Sequence, residues 1–428
     1  MPFEHLPSVV SLVEPLAQRF IDAGHRLYLV GGIVRDQWLD HELGDSSDVD
    51  LTTDAEPAVI KDLVGDVADA LWTQGERFGT IGLRFQNRAI EITTHRAESY
   101  TSDSRKPVVS FGDDISVDLS RRDFTVNAMA IEVPSGALVD PWNGADDLQA
   151  QLLRTPLEPE ISFSDDPLRM LRAARFASRF DLVPSGELTA AATDLRERLR
   201  IVAIERIGDE LERLFGLPNP ERGLRFLVDT GLANELLCWK QPHAEPIDTE
   251  QLHHAIASAI RITDTTWQLR LATFLAASIE TQRELEERLE QLRLSRDDHR
   301  HVVDLIAAAR RIDPNQSDAP TLRRWFAAAK HPADSITLAT ALAPESESAG
   351  FAAFGAALSE LDQAEDLANP VLLDGETIMS LLGVGAGPTV GEAVAVLRQA
   401  FFDEGPLPVA AQTTLLERWW SDRRTDAR

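Results

Sequence analysis

The sequence is poor in cysteine and lysine, with one cysteine, Cys238, and four lysines among 428 residues. A single cysteine excludes an intramolecular disulfide and a CxxC metal site. No apolar run reaches the roughly 18 residues that span a bilayer, and the amino terminus lacks the basic start of a signal peptide. We therefore expect a cytoplasmic protein that has no membrane partner.

Positive charge is scarce as well. The chain has 42 basic and 70 acidic residues, which gives a formal net charge of -28. Such a charge repels nucleic acid at long range unless basic residues cluster. Because nearly all the basic residues are arginines, which bind phosphate in a bidentate way, any polyanionic partner must meet a local arginine patch.

The length predicts several domains, at roughly 150 residues each. Strand-like patterns are confined to the first part of the chain, and helical periodicity dominates from about residue 146 onward. The pattern breaks near 150, 215 and 315. We therefore predict an α+β protein, with an α/β domain at 1–150 followed by helical segments at 151–215, 216–315 and 316–428.

A strand ending in two glycines is the first motif that carries chemistry. HRLYLV reads as a strand and runs into Gly31 and Gly32, which open a helix. Glycines let backbone N–H groups approach a phosphate, and a helix N-terminus favours negative charge. Arg35, one turn further, is then expected to contact a phosphate oxygen. A simple tight turn is the alternative for GG taken alone.

Three carboxylates on two predicted strands form the second motif. In SSDVDLTT, side-chain alternation places Asp48 and Asp50 on one face, and in RAIEITT it places Glu91 opposite the core. Three hard oxygen ligands on adjacent strands suit Mg²⁺ and two-metal phosphoryl transfer. For an isolated DxD a solvated strand end is the simpler interpretation, but the strand–GG–helix pattern upstream favours the metal site.

The segment SDDPLRMLRAARF predicts a helix capped at Ser164 and Asp165, with Asp166 and Arg169 three residues apart on one face. A surface ion pair is the simple interpretation. Alternatively, a carboxylate beside a guanidinium matches the pairing edges of cytosine and adenine and mismatches uracil and guanine. The arginines that follow face either RNA or acidic neighbours; they are Arg172, Arg175 and Arg179.

Taken together, the motifs resemble those of the bacterial class II CCA-adding enzymes and poly(A) polymerases, in the nucleotidyltransferase superfamily of DNA polymerase beta. The resemblance covers about residues 25 to 215 and rests on LVGGIVRD, SDVDLTT, IEITTHR, RRDFTVNAMA, DPWNGADDLQ, DDPLRMLRAARFASRF and IERIGDELERL. It implies a polymerase-beta-like catalytic head followed by an all-helical neck, body and tail, which the four predicted segments would form.

The resemblance also implies roles for individual residues. Asp48 and Asp50 would hold Mg²⁺, and Glu91 would support the attack. Arg122 and Asp123 would help to hold the incoming nucleotide. The whole nucleotide-binding set would be Gly31, Gly32, Arg35, Arg122, Asp123, Asp166, Arg169, Arg172 and Arg175. Asp165 stands where glutamate is commoner in the family, and Glu205 with Arg206 would support the base-reading helix.

The implied activity is template-independent addition of C, C and A to the 3′ end of tRNA, from CTP and ATP, with release of pyrophosphate. The expected partners are the tRNA acceptor arm, ATP and CTP, with no DNA; the tail would grip the tRNA through arginines. Residues 94–125 keep the full length of the loop found in enzymes that add all three nucleotides. A-only addition and polyadenylation stay open, because those enzymes share the motifs.

Two other classes of function are weaker. A metal-dependent phosphohydrolase would need a His-Asp dipeptide, which the sequence does not contain, so we expect His253 and His254 to be structural. A non-catalytic RNA-binding protein is disfavoured because all three carboxylates are intact. Neither a P-loop nor a Rossmann glycine motif is present.

Overall fold

The computed structural model describes residues 6–39, 49–99, 108–238, 245–263 and 265–426. The chain divides into two compact units, Met1–Ala244 and Glu245–Arg428. The finer boundaries predicted near 150, 215 and 315 stay predictions.

Strands lie only in the first unit, as far as the described residues show. They are β1 (Leu27–Val30), β2 (Val49–Thr53), β3 (Ala70–Trp72), β4 (Thr80–Phe85), β5 (Arg88–Thr94), β6 (Arg96–Ser99), β7 (Val108–Phe111), β8 (Ala130–Val133), β9 (Leu138–Val139), β10 (Leu152–Leu153) and β11 (Val183–Pro184). Its helices are α1 (Leu6–Asp22), α2 (Gly32–Trp38), α3 (Pro57–Val64), α4 (Ile115–Ser120), α5 (Gly144–Gln149), α6 (Pro159–Asp165), α7 (Arg169–Arg179), α8 (Gly186–Leu195), α9 (Ile204–Phe215), α10 (Glu221–Asp229) and α11 (Leu232–Cys238).

A seven-stranded mixed sheet, in the order β3-β4-β5-β2-β1-β8-β9, forms the centre of the head. One face is apolar, with Leu51, Ile81 and Ile92 almost completely buried; α1 packs against β1 and β8, and α3 packs against β4 and β5. The period-two alternation of TIGLRF and RAIEITT around a turn predicts a hairpin, and β4 and β5 form one. Its two turn residues, Gln86 and Asn87, both have positive φ, as a type I′ hairpin turn requires.

Two local predictions were wrong. The polar pattern of residues 56–71 predicts one helix, but the helix ends at Val64, and Ala70–Trp72 forms an edge strand paired with β4. The helix expected to begin at Ser164 and Asp165 begins only at Arg169. Asp166 has an extended backbone because it precedes proline, which disfavours the helical region. The predicted all-helical region also contains one short parallel pair, β10 with β11.

Glycine permits close contact between two helices of the first unit. α7 packs against α9 and α10, and a Cβ added at Gly223 of α10 would lie 2.2 Å from the Ala174 carbonyl oxygen of α7. Real Cβ atoms do not approach a backbone oxygen so closely, so the α7–α10 spacing depends on the absence of a side chain.

The second unit is helical throughout its described residues. Its helices are α12 (Thr249–Ile260), α13 (Trp267–Ser278), α14 (Gln282–Leu292), α15 (Arg296–Ala309), α16 (Ala319–Ala328), α17 (Pro332–Leu342), α18 (Glu345–Glu365), α19 (Gly375–Leu382), α20 (Pro388–Glu404) and α21 (Val409–Asp426). A nearly buried ion pair links Arg323 of α16 to Glu365 of α18, with Nε and Oε2 2.7 Å apart. None of the described helices of either unit is both long and apolar enough to cross a bilayer.

Gly223→Ala is expected to destabilise the first unit by about 1–3 kcal/mol, because the added methyl group forces α7 and α10 apart. Urea unfolding followed by circular dichroism measures this effect. Gly186→Ala is the matched control, since a Cβ there meets no atom within 4 Å, and it should be neutral or slightly stabilising. Equal midpoints for the two variants would contradict the packing argument.

Candidate active site

Two of the predicted carboxylates lie side by side on the sheet. β2 and β5 pair in parallel with Asp50 directly opposite Glu91, and both side chains are exposed on the face away from the apolar core. Neighbouring strands are about 4.8 Å apart, so a single cation fits between the two side chains. Their hard oxygen donors are the kind that bind divalent cations such as Mg²⁺.

The third predicted carboxylate, Asp48, lies outside the described residues. Within the described part of the chain, no three histidine, cysteine or acidic side chains are grouped so as to hold a metal ion. The expected set of three carboxylates includes Asp48. Of that set, the structure describes Asp50 and Glu91.

The glycine turn lies next to these carboxylates. β1 pairs with β2, and Gly31 follows β1 with φ 74° and ψ -132°, a conformation that favours glycine. A Cβ at Gly31 would lie 2.8 Å from Nη1 of Arg122, and one at Gly32 would lie 3.4 Å from Nη2 of Arg35. The turn therefore brings the backbone close to the RRD segment, as the predicted nucleotide-binding set requires.

Arg35 does not face an open phosphate site. Its side chain is 5% exposed, and it donates hydrogen bonds to Asp36 at 2.9 and 2.7 Å and to Asn127. The guanidinium carbon lies 4.1 Å from the ring centroid of Phe180. Burial lowers the pKa of Arg35. The expected contact with a phosphate oxygen is thus replaced by contacts that join α2 to the end of α7.

Asp118 is a site residue that the sequence analysis missed. It is completely buried and accepts hydrogen bonds from Arg121 at 3.0 Å and Arg122 at 3.3 Å. Burial alone would raise the pKa of Asp118, but Arg122 and Arg121 outweigh it and hold the pKa below its usual value. Nothing in the segment ISVDLS distinguishes this aspartate from an ordinary helix surface residue.

Asp123 links the RRD segment to α7. Its carboxylate accepts hydrogen bonds from Asn127 at 2.9 Å and from Nε of Arg172 at 3.0 Å, and the residue is 9% exposed. Burial opposes ionisation, but Arg172 and Asn127 prevail and lower the pKa of Asp123. Asp123 and Arg172, both predicted to bind nucleotide, are therefore engaged with each other.

The predicted arginine stripe on α7 mostly faces acidic neighbours. Arg175 is buried, and its Nε lies 2.6 Å from Oε2 of Glu210 on α9. Nη1 of Arg172 lies 3.6 Å from the same glutamate. Only Arg179 of the three is exposed. Arg175 therefore does not line an open nucleotide surface. Instead, its side chain links α7 to α9.

Asp166 and Arg169 lie half-buried at the N-terminal end of α7. Asp166 accepts hydrogen bonds from the backbone N–H of Leu168 at 3.1 Å and from Arg206 at 2.9 Å. Arg169 donates to Ser162 at 2.8 Å and to the backbone carbonyl of Arg121. Arg206 thus contacts Asp166 directly, as expected of a supporting residue, and Arg169 is anchored to the RRD segment.

Comparison with known families agrees with this geometry. Residues 27–154 match the poly A polymerase head domain, and residues 184–246 match the probable RNA and SrmB-binding site of polymerase A. Residues 27–154 therefore belong to the poly A polymerase head-domain family. The matched head-domain segment contains Gly31, Asp50, Glu91 and Asp123 of this chain.

Curated relatives of this family match mainly the first unit. The CCA-adding enzyme of Lactobacillus johnsonii is 36% identical over 237 residues, 55% of this chain and 58% of the relative. That of Limosilactobacillus reuteri is 38% identical over 54% of this chain and 56% of the relative. The matched segment therefore spans little more than half the length of these relatives.

Solved structures of the family share the fold. A Bacillus stearothermophilus CCA-adding enzyme in complex with CTP superposes with a TM-score of 0.71 at 23% identity, covering 97% of this chain and 98% of that one. A Thermotoga maritima CCA-adding enzyme complexed with tRNA gives a TM-score of 0.68 at 20% identity, covering 96% of this chain and 95% of that one. The predicted fold class, a polymerase-beta-like head followed by helices, is confirmed.

Asp123→Asn is expected to flatten the acid dependence of stability. The pKa of Asp123 in the folded protein lies below its ordinary value, so its carboxylate stabilises the fold fully above about pH 4, the pKa of an unfolded aspartate. That contribution disappears as the pH falls from about 4 through the folded pKa. Below about pH 4, the wild-type free energy of unfolding should therefore fall more steeply than that of the variant.

Urea unfolding at a series of pH values between about 2 and 6 tests this prediction. Asp146→Asn is the control, because Asp146 is an exposed aspartate on α5 of the same unit, and its slope should match the wild type. The prediction is wrong if Asp123→Asn keeps the wild-type slope.

Proposed function

We propose that this protein adds C, C and A to the 3′ end of tRNA, using CTP and ATP without a nucleic-acid template. The observation that carries the proposal is the in-register pair Asp50 and Glu91 beside the Gly31 turn. In the reaction, the RNA 3′-oxygen bonds to the α-phosphorus of the nucleotide, the bond to the β-phosphate's bridging oxygen breaks, and pyrophosphate leaves. The family membership and the similarity to named CCA-adding enzymes support this assignment.

Asp50 and Glu91, together with the predicted ligand Asp48, would hold divalent cations, for which Mg²⁺ is the proposed identity. Bound there, such ions supply charge neutralisation for the triphosphate and activation of the attacking hydroxyl. The protein's own contribution is positional. The apolar face of the sheet fixes the strand register, and the register fixes the spacing of the two carboxylates.

In this proposal the nucleotide lies between the Gly31 turn and the N-terminal end of α7. The backbone of Gly31 and Gly32 approaches the phosphates, and Arg122, placed beside Gly31 by Asp118, supplies positive charge. Asp123 holds Arg172 in place behind them. Arg35 and Arg175, both buried, position these elements instead of contacting the nucleotide themselves.

Base selection is assigned to Asp166 and Arg169. The carboxylate accepts a hydrogen bond from the amino group of cytosine or adenine, and the guanidinium donates to the adjacent ring nitrogen. Uracil and guanine present the reverse order and leave both side chains mismatched. Arg206 holds Asp166 and Ser162 holds Arg169, which restricts the rotation of both. The tRNA grip by the helical tail and the cytoplasmic location remain predictions.

Primer extension on tRNA ending before CCA, after C or after CC tests the function. Each substrate is supplied with Mg²⁺ and with CTP, ATP or both, and product length is read on a gel. Completion of CCA on all three substrates is expected. Activity only on the CC end would indicate an A-adding enzyme, and long A tails on unrelated RNA would indicate a poly(A) polymerase.

Asp50→Asn is expected to lower incorporation by at least about 100-fold, because it removes a charged ligand from the metal-binding pair. The rate of single-nucleotide extension measures this effect. Asp62→Asn is the control: Asp62 is an exposed aspartate on α3 of the same unit and should keep full activity. A folded Asp50→Asn protein with unchanged activity would remove Asp50 from the catalytic set.

Arg169→Ala is expected to relax base choice, so that UTP or GTP enters at about 10-fold or more of its wild-type rate, while the rate with CTP and ATP falls. Misincorporation is measured with each nucleotide supplied alone. Arg179→Ala, an exposed arginine on the same helix, should leave selection intact. Strict retention of C and A selection by Arg169→Ala would exclude this residue from the base-reading pair.

A further inference from the structure

A tryptophan stands in line with the two carboxylates on the same face of the sheet. Trp72 of β3 is directly opposite Gly82 of β4, Gly82 is opposite Glu91 of β5, and Glu91 is opposite Asp50 of β2. Residues opposite each other on neighbouring strands point to the same face. The four positions therefore form one row across four strands, with Trp72 at its outer end.

The indole of Trp72 lies over Gly82. A Cβ added at Gly82 would be 1.8 Å from Nε1 of Trp72, so only glycine leaves room for the ring. Beside it is an open cavity of about 370 Å³. Its lining includes Trp72, Phe78, Glu91 and Arg96. An aromatic surface thus adjoins a catalytic carboxylate.

The aromatic surface is partly open to solvent. Phe78 is 40% exposed although it is a large apolar residue, and the guanidinium of Arg77 lies over its ring, 4.5 Å from the centroid. Arg96 donates a hydrogen bond to the hydroxyl of Thr80 at 2.7 Å, which holds its cation at the cavity. Exposed aromatic rings interleaved with arginines are typical of single-stranded nucleic-acid sites.

The positions of the two substrates follow from the strand order. β1, which ends at the Gly31 turn, pairs with β2 on the side opposite to β5. The nucleotide and its leaving pyrophosphate therefore occupy the β1 side of the carboxylates. Because attacking and leaving oxygens are roughly in line at phosphorus, the attacking hydroxyl must approach from the other side, where β5, β4 and Trp72 lie.

We propose that the Trp72 cavity binds the 3′-terminal nucleotide of the RNA acceptor, with its base stacked on the indole and its 3′-hydroxyl directed to Glu91. This inference rests on the proposed function and names the site of its second substrate. Stacking accepts every base, because each base has a π face. That tolerance suits an acceptor whose terminal base changes from one addition to the next.

Trp72→Ala is expected to lower kcat/KM for the RNA by roughly 5- to 150-fold, the range measured for base–aromatic stacking. The KM for CTP and its binding in the absence of RNA should stay unchanged. Trp72→Phe keeps a stacking ring and should restore most of the loss. Leu71→Ala is the matched control, because Leu71 is the next residue on the same strand, exposed, and faces the other side of the sheet.

A minihelix RNA that lacks its 3′-terminal base gives the decisive comparison. In an anisotropy titration, wild-type protein should bind the fluorescein-labelled RNA without its terminal base more weakly than the intact RNA. The loss of affinity should be about the same as the loss that Trp72→Ala causes with intact RNA. The variant should bind both RNAs equally. Two results would overturn the assignment. One is that Trp72→Ala and removal of the terminal base weaken RNA binding by fully additive amounts. The other is that Trp72→Ala weakens CTP binding as much as it weakens RNA binding.

The anisotropy result does not depend on turnover, so the two proposals can fail separately. If wild-type protein extends no tRNA but binding still requires both Trp72 and the terminal base, CCA addition is wrong and the stacking site stands. If extension is normal and Trp72→Ala, with unchanged circular dichroism, binds intact RNA as the wild type does, the stacking site is wrong.

Discussion

Asp50 and Glu91 are like charges held side by side, and this repulsion is built into the parallel pairing of β2 with β5. Neither strand can slide to relieve it, because a shift by one residue would turn Leu51 and Ile92 out of the core and bury the carboxylates. Hydrophobic burial on one face thus maintains an unfavourable electrostatic arrangement on the other. A cation bound between the two carboxylates would offset that cost.

Around this pair, buried acids determine where the arginines lie. Asp118 fixes Arg121 and Arg122, and Asp123 fixes Arg172. These carboxylates stay ionised despite burial because each has a guanidinium within hydrogen-bonding distance. A chain with a net charge of -28 can therefore present positive charge at its proposed nucleotide site, since its acidic residues hold the arginines in position.

Strand alternation and the glycine turn sufficed to predict the local frame of the site, including the shared face of Asp50 and Glu91. Sequence could not reveal which arginines are internal. Arg35 is buried by Phe180, which lies far along the chain, and Arg175 is paired with Glu210 of another helix. Such pairings depend on the tertiary packing of α7, α9 and α10, which local sequence patterns do not show. The strand β3 was missed for a different reason: its three residues are too few to show a clear alternation.

The extended backbone before Pro167 separates the two members of the proposed base-reading pair. Arg169 belongs to α7, whereas Asp166 belongs to the connection between α6 and α7. On one continuous helix, residues three apart are held at a nearly constant separation. Here the separation changes whenever α6 and α7 move relative to each other. If the pair reads both a pyrimidine and a purine, which differ in width, a small shift of one helix against the other would bring the same acceptor and donor to either base.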